Sequence, residues 1–434
     1  MTAGDAHQAE TDRAIEATFR IERARLIAGL ARIVRNVDLA EELAQDALVV
    51  ALSEWPRTGV PDNPGAWLMA VAKRRAVDAF RRDKMRERKH KEIARTLPGY
   101  SNVTRDGAAE AIEAAMDDDL GDALLGLIFT ACHPMLSPDA RAALTLKVVG
   151  GLTRDEIARA FLSSEAAIAQ RIVRAKKAIA KAGLTFEVPR GAERAARLPS
   201  VLEVIYLIFN EGYAATAGDD LVRPGLCLEA QRLGRMLAGL MPEDAEVLGL
   251  LALMEIQASR HKARTGPDGA FIPLTEQDRA RWDHLLIGRG LDALARAEAL
   301  GPKVGDAGPY VLQAALGACH ARARRAADTD WPRIAALYDR LRVVAPSPVV
   351  DLNRAIAHSM AFGPEAGLRL VDEIADAAAL RDYAPLPAAR GDFLFRAGRL
   401  AEARSEFKAA ATLTRNARER AFLLARADAC DCKH

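Results

Sequence analysis

Apolar residues recur along this chain at three- and four-residue spacing, and no stretch alternates apolar and polar residues convincingly. A chain with only that period has stripes to bury on helices and no sheet face to offer, so the expected fold is all-α. Half of the residues are hydrophobic but only 5% are aromatic. The helices are therefore expected to pack through alanine and aliphatic side chains. At 434 residues the chain has room for roughly two to four domains.

Several function classes lose support at once. Five cysteines with no CxxC pair make neither a disulfide framework nor a zinc site. The first twenty residues hold no apolar signal core. The most apolar run, VLEVIYLIF at 201–209, includes Glu203 and has about half the length of a membrane span. The compartment is expected to be the cytoplasm, with no membrane partner. No Gly-rich nucleotide loop, metal triad or nucleophile motif is visible, so no enzyme, cofactor or metal is expected.

Composition shifts mark four segments. Residues 1–90 end in a basic stretch, where nine Lys/Arg between Lys73 and Lys89 face three acids. Residues 91–118 turn to Gly, Ser, Asn and acid with weak periodicity, the pattern of a linker. Residues 119–184 form a second helical module. Residues 185–434 open on FEVPRGAERAARLPS (186–200) and continue as a long helical region. Within it, Glu-Ala pairs at 365/366 and 402/403 each follow a Gly turn and stand 37 residues apart, a period that suggests tetratricopeptide-like hairpins.

The second module carries the first chemical signal. Thr153 and Glu156 form a capping box, with Leu152 and Ile157 as its hydrophobic staple. A turn at Leu162-Ser163-Ser164 follows, with a serine placed to cap the next helix. There Ile168, Ile172, Ala175 and Ile179 keep one face, while Ala167, Gln170, Arg171, Arg174 and Lys177 keep another. A polar, cationic second helix after a tight turn is the helix-turn-helix arrangement. Its N-terminal half (Glu165, Ala166, Gln170, after the Ser164 cap) can reach base edges, and Arg171, Arg174 and Lys177 can neutralise phosphates. An ordinary helical hairpin with a solvated basic face has the same pattern.

The first segment narrows the choice. DLAEELAQDALVVAL (38–52) is amphipathic, with Glu41, Glu42, Gln45 and Asp46 crowded on one stripe. A loop with three prolines follows, and Asn63 and Pro64 are placed to restart a helix as cap and first residue. That helix is expected to bury Leu68, Val71, Ala72 and Ala79. Trp67, Arg74, Asp78 and Arg81 line its outer side, with Arg75 and Arg82 beside them.

An Ala-Glu-Glu-Leu-x-Gln-Asp helix, a loop and then Pro-x-x-Trp-Leu…Arg-Arg-Ala-x-Asp-x-x-Arg-Arg resembles domain 2 of bacterial extracytoplasmic-function (ECF) sigma factors. The helix-turn-helix at 152–179 falls where their domain 4 belongs. The region after 185, with LPSVLEVIYLIFNEGYAAT (198–216) and EQDRARWD (276–283), resembles the tetratricopeptide-like extension of one ECF subgroup. The resemblance implies a domain 2 bundle, a domain 4 helix-turn-helix and a regulatory helical extension. It implies core RNA polymerase as partner, through the β′ clamp helices and the β flap, together with promoter DNA. Glu41, Glu42, Gln45 and Asp46 are then the clamp-docking surface. The loop 56–63 with Asn63 captures a flipped −10 base. Trp67, Arg74, Arg75, Asp78, Arg81 and Arg82 meet the −10 duplex edge. Residues 164–177 read the −35 element. Trp67 and Phe80 are the only aromatics in the critical helix, so weak melting and dependence on a close promoter match are expected. The extension is expected to regulate in cis, through an intramolecular contact or an unknown regulator. A tetratricopeptide-type scaffold, or a helix-turn-helix regulator that is no sigma factor, is the alternative.

Two further features carry less. Cys132-His133-Pro134 reads as a packed thiol at a helix stop, and CDCKH at the C-terminus is weak evidence for a soft-metal site.

Overall fold

The computed structural model describes residues 22–78, 120–161, 163–213, 224–266, 272–304 and 307–431, less 375–376, 378–379 and 415–416. The elements among them are helical throughout, and the protein is all-α. Packing divides the chain into two units, 1–205 and 206–434. Arg81, Arg82, Ala79, Phe80, the linker 91–118, Cys432 and His434 lie outside the described residues.

The first unit begins with α1 (22–34), α2 (Val37–Thr58) and α3 (64–78). Arg35, in the left-handed region at φ 54°, turns the chain between α1 and α2. Asn36 then caps α2, its Oδ1 accepting from the N–H groups of Asp38 and Leu39 at 2.9 and 3.2 Å. Leu26, Ile27 and Leu30 of α1 are buried together with Leu43, Ala47, Ala51 and Trp55 of α2 and Leu68, Ala72 and Ala76 of α3. Val71, expected in that core, is only half-buried. The three-proline loop proves shorter than its composition predicts, because α2 runs through Pro56 to Thr58. Trp55 is fully buried and holds the last turn in the core. Pro56 lies in the last turn and has no N–H to give the Leu52 carbonyl, so only one helical hydrogen bond is lost. Gly59 stops the helix with φ 82°.

The second module contains α4 (Leu120–Ala131), α5 (Pro138–Val148), α6 (Arg154–Ala160) and α7 (Glu165–Lys181). The chain after residue 184 stays packed on it. Arg141 of α5 is buried and donates to Ser200 Oγ and to Glu203 Oε2, the latter at 3.0 Å. Both partners lie on α8 (Gly191–Tyr213). Arg197 of the same helix donates to the Phe129 carbonyl at 3.1 Å. Cys132 is buried beside Thr145, and burial pushes its thiol up to about 12, as suits a packing residue.

Gly126 is the closest approach in this module. A Cβ there would stand 2.3 Å from the backbone oxygen of Phe186, in a segment also held by a 3.1 Å bond from Thr130 Oγ1 to the Thr185 carbonyl. Gly126→Ala is therefore expected to destabilise this module by about 1–3 kcal/mol, because backbone rather than a flexible side chain must yield. Chemical denaturation of the full-length protein checks this. Unchanged stability would mean that the 185–187 segment moves aside freely.

The second unit runs from Tyr206 through α9 (Pro224–Leu240), α10 (Ala245–Ala258), α11 (His284–Val304) and α12 (Pro309–Arg322). It continues with α13 (Trp331–Val344), α14 (Pro348–Phe362), α15 (Pro364–Asp372), α16 (Pro385–Arg396), α17 (Leu400–Leu413) and α18 (Ala417–Ala429). Helix α10 is apolar around most of its surface and is buried from Val247 to Ile256 except at the half-buried Leu251, with Glu255 paired to Arg235. Helices α11 and α12 both pack chiefly on α10, and from α13 onward each helix packs chiefly on its neighbours in sequence, the habit of a repeat array. The two turn glycines read from the sequence, Gly363 and Gly398, both have positive φ, 98° and 78°. Each precedes a helix carrying one of the repeated Glu-Ala pairs. The segment EQDRARWD forms short 3-10 turns. Its Asp283 then starts α11, accepting from Leu285 and Leu286 N–H at 3.0 and 3.1 Å.

Candidate nucleic-acid interface

The turn before α7 is built as its residues dictate. Thr153 N–H donates to Glu156 Oε2 at 2.7 Å and Glu156 N–H donates to Thr153 Oγ1 at 3.2 Å, closing the capping box. Ser164 Oγ accepts from Ala167 N–H at 3.2 Å and starts α7. Ile168, Ile172, Ala175 and Ile179 are the buried residues of that helix, the same four expected from spacing. The opposite side is open: Glu165, Gln170, Arg174 and Lys177 are exposed. Arg171 is half-buried, and its guanidinium lies 3.7 Å from Asp139 of α5. Glu165 stands 4.0 Å from Arg154. Gln170, Arg174 and Lys177 thus share one exposed face of α7, which a groove-reading helix requires.

In the first module Asn63 caps α3, its Oδ1 accepting from Ala66 N–H at 3.1 Å. Trp67 is half-buried and meets Trp55 edge-on, with ring centroids 5.2 Å apart. Arg74 and Asp78 are exposed on the α3 surface. Arg75 instead donates to Asp46 Oδ2 at 2.7 Å. This joins a residue expected on DNA to one expected on polymerase and ties α3 to α2.

The acidic row on α2 divides. Glu42 and Gln45 are exposed, Asp46 is half-buried against Arg75, and Glu41 is buried. Both oxygens of Glu41 are used: Oε1 by Arg23 at 2.8 Å and Oε2 by Lys176 of α7 at 2.5 Å. Lys176 also reaches Asp38 Oδ1 at 2.6 Å, and Arg23 donates to the Lys147 carbonyl at 2.9 Å. Burial opposes the charge on Lys176, but Glu41 and Asp38 outweigh it and hold the ammonium above its ordinary range. Sequence reasoning missed Arg23, Asp38, Lys147 and Lys176. Their partners lie 124 to 138 residues away, apart from the Arg23–Glu41 pair, and no local period carries that information.

Two helical modules, one bearing a helix-turn-helix with a cationic face and the other an acid-faced helix, have the make-up of a DNA-binding factor. The comparisons agree with that class. The sigma-70 region 2 profile matches residues 19–86 and the sigma-70 region 4 profile matches 127–179. A family of unknown function, DUF6596, matches 197–298. An uncharacterized protein of Rhizobium meliloti (strain 1021) is 41% identical over 401 residues, 92% of each chain. A probable ECF RNA polymerase sigma factor, SigI, of Mycobacterium tuberculosis (strain H37Rv) is 26% identical over 180 residues, 42% of this chain and 59% of that one. No solved structure matches. The chain thus carries sigma-70 region 2 and region 4 domains, is distantly similar to an ECF sigma factor, and has a C-terminal extension. Sigma-factor domains imply interaction with RNA polymerase and promoter DNA, and transcription initiation rather than catalysis is the work of the family. Among the described residues no helix is long and apolar enough to cross a membrane.

Proposed function

We propose that α7 reads the −35 element through Glu165 and Gln170, with Arg174, Lys177 and Arg171 on flanking phosphates. Asn63, Trp67, Arg74 and Asp78 serve the −10 element, and Arg75 acts through Asp46 as a brace between α3 and α2. Glu42 and Gln45 are the exposed part of a surface that docks on the β′ clamp helices, and residues 206–434 regulate initiation in cis. The observation that carries this reading is the pairing on one chain of a serine-capped, cation-faced α7 with an acid-faced α2.

Run-off transcription tests it, with full-length protein, core polymerase and the promoter of its own gene. Arg174→Ala/Lys177→Ala is expected to weaken promoter binding about uniformly across sequences. It should reduce the slope of log affinity against log salt by roughly two, near one per lost phosphate contact. Gln170→Ala should instead cost about 1–3 kcal/mol of discrimination at one position. A salt slope equal to that of the wild type would remove α7 from the DNA. Removing residues 214–434 leaves α8 whole, and unchanged promoter output would argue against regulation by the extension.

A further inference from the structure

The acidic row of α2 already has an occupant. Lys176 places its ammonium 2.6 Å from Asp38 and 2.5 Å from Glu41, and the side chains of Lys176, Glu41 and Arg23 are each 11% exposed. Arg23 extends the contact from the other oxygen of Glu41 to the α5 backbone at Lys147. Region 2 therefore contributes two carboxylates and a guanidinium, and region 4 contributes an ammonium and a carbonyl, to one cluster. Meanwhile Gln170, Arg174 and Lys177 remain exposed on α7. The docking uses a side of that helix distinct from the face of Gln170, Arg174 and Lys177.

A carboxylate at this depth is not given up to water cheaply, since an uncompensated buried charge costs several kcal/mol. Loss of Lys176 leaves Glu41 with Arg23 alone, so a partner that brings a second cation to Glu41 and Asp38 is the one best placed to displace it. We infer that region 4 and core RNA polymerase compete for the same acidic row, so that the Lys176–Asp38/Glu41 contact holds the free factor in a self-docked state. Polymerase first meets the exposed Glu42 and Gln45, then takes Glu41 and Asp38 with basic groups of its clamp surface as Lys176 leaves. This rests on the reading of α2 as the polymerase-docking helix.

Zero-length carbodiimide cross-linking of the full-length protein, read by mass spectrometry, tests the contact directly. A Lys176–Glu41 or Lys176–Asp38 link is expected in the free chain and should disappear in proportion to added core polymerase. In parallel, Lys176→Ala should bind core roughly tenfold more tightly, within the 5–150-fold range of coupled sites. Lys176→Arg and the exposed Lys181→Ala should bind like the wild type. The inference is overturned if the link is absent from the free chain or undiminished at saturating core. It is equally overturned if Lys176→Ala binds core no more tightly than the wild type. A chain that shows the cross-link but binds no core polymerase would overturn the docking role of α2 together with the competition. The internal contact would still have been read, so the two failures remain distinguishable.

Discussion

Trp55→Ala is expected to cost the first unit about 4 kcal/mol, the largest single-residue loss in its core. Trp55 is 1% exposed and among the largest fully buried side chains of the protein. Truncation removes the apolar contact of an indole and leaves a cavity between α2 and α3 that the short loop 59–63 constrains. For a unit of this size the loss should lower the melting temperature by about 10 °C. Function should fall with it. The Trp55 ring is the wall against which Trp67 stands, 5.2 Å between centroids, and α3 also carries Arg74 and Asp78. Trp55→Phe should recover most of the stability, because the indole N–H of Trp55 has no hydrogen-bond partner to lose. Thermal unfolding of the three proteins, followed by promoter opening at a temperature where all are folded, checks both parts. A Trp55→Ala protein that melts with the wild type would show that this core repacks without it.

Acid is expected to destabilise the second unit through two half-buried histidines. His261 and His320 are each held down to about 4 from an ordinary 6.5. Burial is the main cause in both. Arg264 and Arg260 add to it at His261, and Arg260 and Arg279 at His320. These guanidiniums lie among aromatic rings: Arg264 is 3.9 Å from the Tyr213 centroid and Arg279 4.9 Å from that of Trp282. The neutral imidazole is the folded form, so the unfolded chain alone takes up protons just below pH 6.5. Stability is therefore complete above 6.5 and declines as pH falls toward 4. Discounted for partial exposure, the loss is on the order of 2 kcal/mol per histidine. Urea midpoints followed by the fluorescence of Trp282 and Trp331 across that window measure it. His320→Gln should remove about half of the dependence, and a flat midpoint from 6.5 to 4 would sink the argument.

Much of the architecture was legible before any coordinates. The capping box at Thr153 and Glu156, the cap at Ser164 and the stripe of Ile168, Ile172, Ala175 and Ile179 all follow from residues within one or two turns of one another. The turn glycines Gly363 and Gly398 were equally readable, because positive φ favours that residue type. Pro56 suggests a loop after residue 52, whereas the burial of Trp55 carries α2 on to Thr58.

The division between the acids of α2 has a different origin. Glu41 and Glu42 are adjacent and chemically identical; the helical period sets them about 100° apart, with Glu41 at the edge of the buried stripe, but names no partner for either. Local propensity and periodicity are short-range, so they settled which segments are helical, where those helices start and which stripe each one buries. Whether a charged residue faces water, a neighbouring helix or a cation 135 residues away depends on how completed helices pack. Only that packing buried Glu41 between Arg23 and Lys176 and left Glu42 in solvent.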